Sequence, residues 1–165
     1  MIHITDENSN KILKDLLNRS KQVIDPNEIN ACVHSIIEVI LFELLNYKEM
    51  NFRKKDGIYS LLEQLAVKYD YAIDKVKECK AADLLSTGHA LEAYKIYRGL
   101  LDDIKCDRAF RSRIINNRMI ALVAVNQNAN TLAIDTLEKL CDSESDYQTT
   151  IRKNIKALSG IRNDD

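Results

Sequence analysis

The chain has 165 residues, 45% of them apolar and 30% charged, which places it among ordinary globular proteins with a substantial core and away from disorder. One proline and four glycines are too few turn residues for an all-β sandwich, so an all-α domain of long helices is expected. The formal net charge of −1 provides no general attraction to nucleic acid or a membrane surface.

Met1 to Glu7 lacks a basic stretch followed by an apolar one, so no signal peptide is expected. A first helix is predicted from about Asp6 to Lys21, with Asp6 as N-cap and Ile12, Leu13, Leu16 and Leu17 as one apolar stripe. A second begins at Asp25 and Pro26, where a capping side chain precedes a proline suited to the first helical position, and Glu28 completes a box-like arrangement. Its apolar positions run from Ile29, Cys32 and Val33 through Ile36, Ile37, Ile40 and Leu41 to Leu44 and Leu45. Val39 and Phe42 widen the stripe, so this helix is expected to be the most buried element. Its most apolar part, Ile36 to Leu45, is interrupted by Glu38 and Glu43 and is too short to span a bilayer. These two helices form an expected N-terminal pair over residues 1–56.

Asn51 to Gly57 is polar and basic and reads as a loop. No breaker then occurs until Gly88. Within that run Ile58, Leu62, Leu65, Tyr69, Ala72, Val76 and Cys79 are spaced four and three in alternation, a heptad-like seam. Two readings fit: a long helix packed inside its own domain, or the seam of a homodimer over residues 58–79. Tyr69 and Ala72 are weak zipper residues and favour the first. Shorter helices are predicted over His89–Ile104, Asp107–Gln127, Asn130–Cys141 and Ser145–Leu158. The last carries Tyr147, Ile151, Ile155 and Leu158 on one stripe, ends at Gly160, and is expected to cap the open end of the fold.

One pattern occurs twice, 40 residues apart. The first copy has Ala81, Leu84, Gly88, Ala93, Tyr97 and Leu100; the second has Ala121, Ala124, Asn128, Ala133, Leu137 and Leu140. Each copy reads as a helix, a turn and a second helix with a small residue at the crossing. A unit of this kind cannot bury its apolar face alone, so neighbours stack.

The two copies resemble the tetratricopeptide repeat over about residues 74–142. They depart from it in period, which is about 34 in that family. They also lack the aromatic residue early in the first helix, where Lys77 and Asn117 stand, and the closing proline. The resemblance implies stacked antiparallel helical hairpins over residues 57–142, with the first helix of each hairpin lining a concave, partner-binding face. Mapped residue by residue, that face falls on Lys75, Glu78, Ala82, Leu85 and Ser86, then on Ile115, Arg118, Leu122, Val125 and Asn126. The family's carboxylate-gripping Lys/Asn/Arg set is not reproduced, so an apolar strand or helix is the expected ligand.

Chemistry is sparse. There is no Gly-rich phosphate loop and no dinucleotide fingerprint. His34 and Glu38 share a helix face, and His89 and Glu92 stand in the order opposite to di-iron bundles, so no metal or cofactor is expected. Cys32, Cys79, Cys106 and Cys141 form no C-x-x-C pair and read as reduced thiols of a cytoplasmic protein. Arg108, Arg111, Arg113 and Arg118 lie on one predicted helix without an acidic residue up to Gln127. A solvated face, a patch for an acidic protein, and a nucleic-acid site all fit, the last least well, since only Phe110 offers stacking. The expected function is therefore a non-enzymatic binding module, an adaptor or chaperone-like protein. In size the chain is similar to the small secretion chaperones built on the same repeat. The alternative is a regulatory or immunity-type inhibitor of one enzyme.

Overall fold

Pro26 opens α1 (Pro26–Asn46), where its fixed φ and missing N–H are tolerated because the first helical N–H groups have no partner in any case. Then follow α2 (Phe52–Lys68), α3 (Ile73–Ser86), α4 (Ala90–Leu101), α5 (Arg108–Val125), a 3-10 turn at Gln127–Ala129, α6 (Asn130–Cys141) and α7 (Gln148–Ile161). The computed structural model describes residues 11, 14–15, 26–46, 52–102, 107–141 and 147–161. Among them the regular structure is entirely helical, and no helix is long and apolar enough to cross a membrane. All of the helix expected at Asp6–Lys21 except residues 11 and 14–15, the capping role of Asp25 and Cys106 lie outside the described residues. Packing divides the chain into two units, Met1–Asp83 and Leu84–Asp165, with the boundary inside the stretch assigned to the repeats.

In the first unit α1 packs on α2. Val33, Ile37, Ile40, Leu41 and Leu44 of α1 meet Ile58, Tyr59, Leu62, Leu65 and Ala66 of α2 and Val76 and Cys79 of α3 in one core. The sequence expectation for α1 needs correction. Val39, Phe42 and Leu45 are 57%, 67% and 50% exposed, and Cys32 is exposed as well, so one face of the helix stays apolar and open. The apolar residues exceed what one helix face can bury against α2 and α3.

The expected loop at 51–57 is helix from Phe52 onward. Its basic character misled because Lys55 is 5% exposed. The Lys55 ammonium donates to the Leu44 carbonyl at the end of α1 (2.7 Å) and to both oxygens of Asp83 on α3 (3.0 and 3.1 Å). One lysine thus closes an unpaired helix-end carbonyl and ties three helices.

The uninterrupted run from Ile58 to Gly88 is also corrected. It breaks at Tyr69–Ala72, where Asp70 (φ 47°) and Ala72 (φ 54°) adopt left-handed backbone without a glycine. The Tyr71 N–H donates to the Ala66 carbonyl and the Tyr69 N–H to Leu65, which closes α2. Ile58, Leu62 and Leu65 therefore lie on α2, Val76 and Cys79 on α3, all buried inside the unit. Their apolar surface is packed within that unit.

In the second unit each helix packs on its neighbour: α4 on α5, α5 on α6, α6 on α7. Met119 and Val123 of α5, Ala133, Ile134 and Leu137 of α6, and Ile151 and Leu158 of α7 form its core. Gly88, with φ +86°, makes the turn into α4 and needs to be glycine. Asp107 caps α5 by accepting the Phe110 N–H at 2.8 Å. The Asn130 amide donates to the Leu158 carbonyl, and the Asn154 amide to the buried Asn116, both at 2.9 Å, which fixes α7 against α6 and α5. Gly160, expected as a stop, lies inside α7.

Candidate functional site

Period places the mapped residues of α5 on one face. Arg108, Arg111, Ile115, Arg118, Leu122 and Val125 follow one another at spacings of three and four. The face is neither core nor fully solvated. Arg108, Arg111 and Val125 are exposed, and Ile115, Arg118 and Leu122 are half-buried. The buried residues of α5 lie elsewhere on the helix: Ser112, Asn116, Met119 and Val123 on one side, Ile114 and Ala121 on another. Arg113 leaves the other arginines, and its guanidinium lies 5.4 Å from the Phe110 ring centroid.

Arg118 is the focus of this face. Its guanidinium lies 5.4 Å from the ring centroid of Tyr94 on α4, and one Nη is 3.5 Å from the Tyr94 hydroxyl. The contact is a cation–π stack with a marginal hydrogen bond. The Nε is closed to water and has no hydrogen-bond partner. Among the described residues no carboxylate reaches Arg118. A partly buried guanidinium without a carboxylate retains unused capacity for a bidentate anionic group. Tyr94 was missed in the sequence because it follows the crossing residue Ala93 and so sits just off the buried stripe of α4. The signal available was Arg98, an exposed residue one turn further on the same flank as the half-buried Tyr94.

The other mapped residues are distributed differently. Lys75 and Glu78 belong to the first unit, where the Lys75 ammonium is paired with Glu38 of α1. Ala82, on α3 in the first unit, and Leu85, in the second, are half-buried; Ser86 is exposed. Asn126 is exposed, but its amide oxygen accepts the Asn128 N–H at 3.1 Å and so caps the 3-10 turn. Leu122 packs against the core of the second unit, unlike Val125, which is 45% exposed.

Two polar clusters in the first unit perform structural work. Beside the Lys55–Asp83 pair, the Tyr59 hydroxyl donates to Asp83 at 2.5 Å. Burial first, then the hydrogen bond and charge of Asp83, push the Tyr59 phenol far above its ordinary pKa. In the second cluster the His34 ring stacks on Tyr71 with centroids 3.8 Å apart, and the Tyr71 hydroxyl donates to Glu38 at 3.2 Å. Burial and then the Glu38 carboxylate raise the Tyr71 phenol. Both tie α1 to the elements after it. No group of three His, Cys, Asp or Glu among the described residues could hold a metal ion. Compared with protein-family models, curated proteins and solved structures, the chain matches none of them.

Proposed function

We propose that the chain is a protein-interaction module, adaptor- or chaperone-like and without enzymatic activity, and that α5 presents the surface on which a helix or peptide of another protein lies. The observation that carries this is the face running from Ile115 to Val125, where half-buried Ile115 and Leu122 and exposed Val125 accompany Arg118, which no carboxylate among the described residues reaches. A contiguous apolar surface bordered by charged side chains marks an interaction site more often than a structural one. The resemblance to the tetratricopeptide repeat implies the same face, because the first helix of each hairpin lines the concave side in that family. Ala81, Ala93, Ala121 and Ala133 are all fully buried, in keeping with close helix crossings at equivalent positions of the two copies. Ala124, exposed where its counterpart Leu84 is buried, departs from that equivalence.

Val125 is the cleanest probe. Leu122→Asp would place a charge against the core, so loss of binding there would not separate contact from unfolding. Affinity capture from native lysate should recover one stoichiometric protein with the wild type and with Leu132→Asp, an exposed control on α6, but not with Val125→Asp. Equal recovery by all three, or a bound small molecule with turnover, would overturn the proposal.

A further inference from the structure

We propose that the occupant of the α5 face is an acidic amphipathic helix of another protein; this rests on the preceding assignment of that face as the binding surface. The face is graded along its length. Arg108 and Arg111 stand at the amino-terminal end, Arg118 in the middle, Leu122 and Val125 at the carboxy-terminal end. No acidic residue lies on α5, and Asp107, the carboxylate before it, is engaged as the N-cap of the helix.

Two of these arginines occupy positions unfavourable to the helix itself. The first turn of α5 carries no acid, and Arg108 and Arg111 add positive charge at the end where the macrodipole is already positive. That arrangement opposes local stability and becomes favourable when an anionic group arrives. Arg98 of α4, exposed one turn beyond Tyr94, extends the basic surface. Arg118 adds an anchor already held in place by Tyr94, so little side-chain freedom is lost on binding.

The spacing specifies the partner further. Arg111 and Arg118 are two turns apart, about 10 Å along the axis. A helix lying along α5 with carboxylates seven residues apart meets both, and its apolar residues in the intervening and following turns fall on Ile115, Leu122 and Val125. A phosphate backbone would satisfy the arginines but leave the apolar half of the face without a partner. Tyr94, the aromatic ring at this face, is occupied by Arg118 and gives a base no stacking platform. The formal net charge of −1 adds no long-range attraction that a polyanion could use beyond this face.

The test is selection of binders from a displayed library of helical peptides with randomised surface positions, followed by affinity measurement on the selected sequences and on a single-stranded RNA. The expected result is enrichment of Glu or Asp at seven-residue spacing with apolar residues between. Affinity for the selected peptides should fall with salt, and Arg111→Gln and Arg118→Gln should each weaken it about tenfold or more. Arg111 is exposed, so its variant reports on contact rather than folding. Neutral apolar binders that are lost with Val125→Asp but indifferent to Arg111→Gln would overturn the acidic partner and leave the binding face standing. Binders indifferent to Val125→Asp, or no enrichment at all, would overturn both. RNA binding that depends on Arg111 and Arg118 would also overturn the acidic-helix assignment.

Discussion

The ammonium of Lys55 lies 3.0 Å from the Asp83 carboxylate, in a pair whose side chains are only 6% and 13% exposed, 28 residues apart in sequence. Removing one member leaves the other charge buried, which costs more than the pair contributes. Lys55→Met should therefore lower stability by about 3–5 kcal/mol, whereas adding Asp83→Leu to it should recover part of that loss. Urea unfolding of the single and double variants measures the difference. A double variant no more stable than the single would mean that the unpaired Leu44 carbonyl and Tyr59 hydroxyl, rather than the lone Asp83 charge, account for the loss.

Alkaline pH should act through the same cluster. Tyr59 has its pKa raised in the fold by burial and by Asp83, so the fold favours the neutral phenol. The unfolded phenol ionises near pH ~10. The contribution is complete below that value and is lost progressively as pH climbs beyond it, because only the unfolded chain releases the proton readily. Tyr71 contributes with the same sign. Thermal melts from neutral to strongly alkaline pH should show the decline, and Tyr59→Phe should flatten it relative to wild type.

Ala93 and Ala133 are completely buried, one on α4 and one on α6. Leucine at either position should overpack the site and cost about 1–3 kcal/mol. Unchanged melting temperatures in both variants would mean that the helices can separate to admit the larger side chain, and that the small residues do not set the crossing distance.

The turn between α2 and α3 holds an alanine in left-handed backbone, with φ 54° at Ala72. Glycine adopts that conformation without the Cβ clash. Ala72→Gly should be neutral to stabilising by about 1 kcal/mol, and Gly88→Ala, at φ +86°, should destabilise by a similar amount. Opposite signs for the two substitutions are the readout.

What could be read in the sequence was periodic or local. The bounds Asn130–Cys141 of α6 and the start of α1 at Pro26 follow from apolar spacing and start signals. Ile115, Arg118, Leu122 and Val125 come from the resemblance to the tetratricopeptide repeat, and their spacing of three and four puts them on one side of α5. What could not be read depended on partners far away in the chain. Lys55 looks like a loop residue until Leu44 and Asp83 surround it. The break at Tyr69–Ala72 carries no glycine or proline, and a heptad pattern runs through it undisturbed because both flanking helices bury the same kind of side chain. The stack of Arg118 on Tyr94 joins two helices whose periods say nothing about each other. In α1, period found the buried stripe but could not say that Val39 and Phe42 would lie outside the core.

Those same side chains govern how the molecule should behave as a solute. Val39, Phe42 and Leu45 stand in adjacent turns of α1, each at least half exposed. Such a ridge is wetted at a free-energy cost that excluded salts increase. The chain should bind phenyl resin in moderate ammonium sulfate and salt out early for its charge. Phe42→Lys should shift it to weaker retention and higher solubility, while the core beneath, formed by Ile37, Leu41 and Leu44, stays as it is.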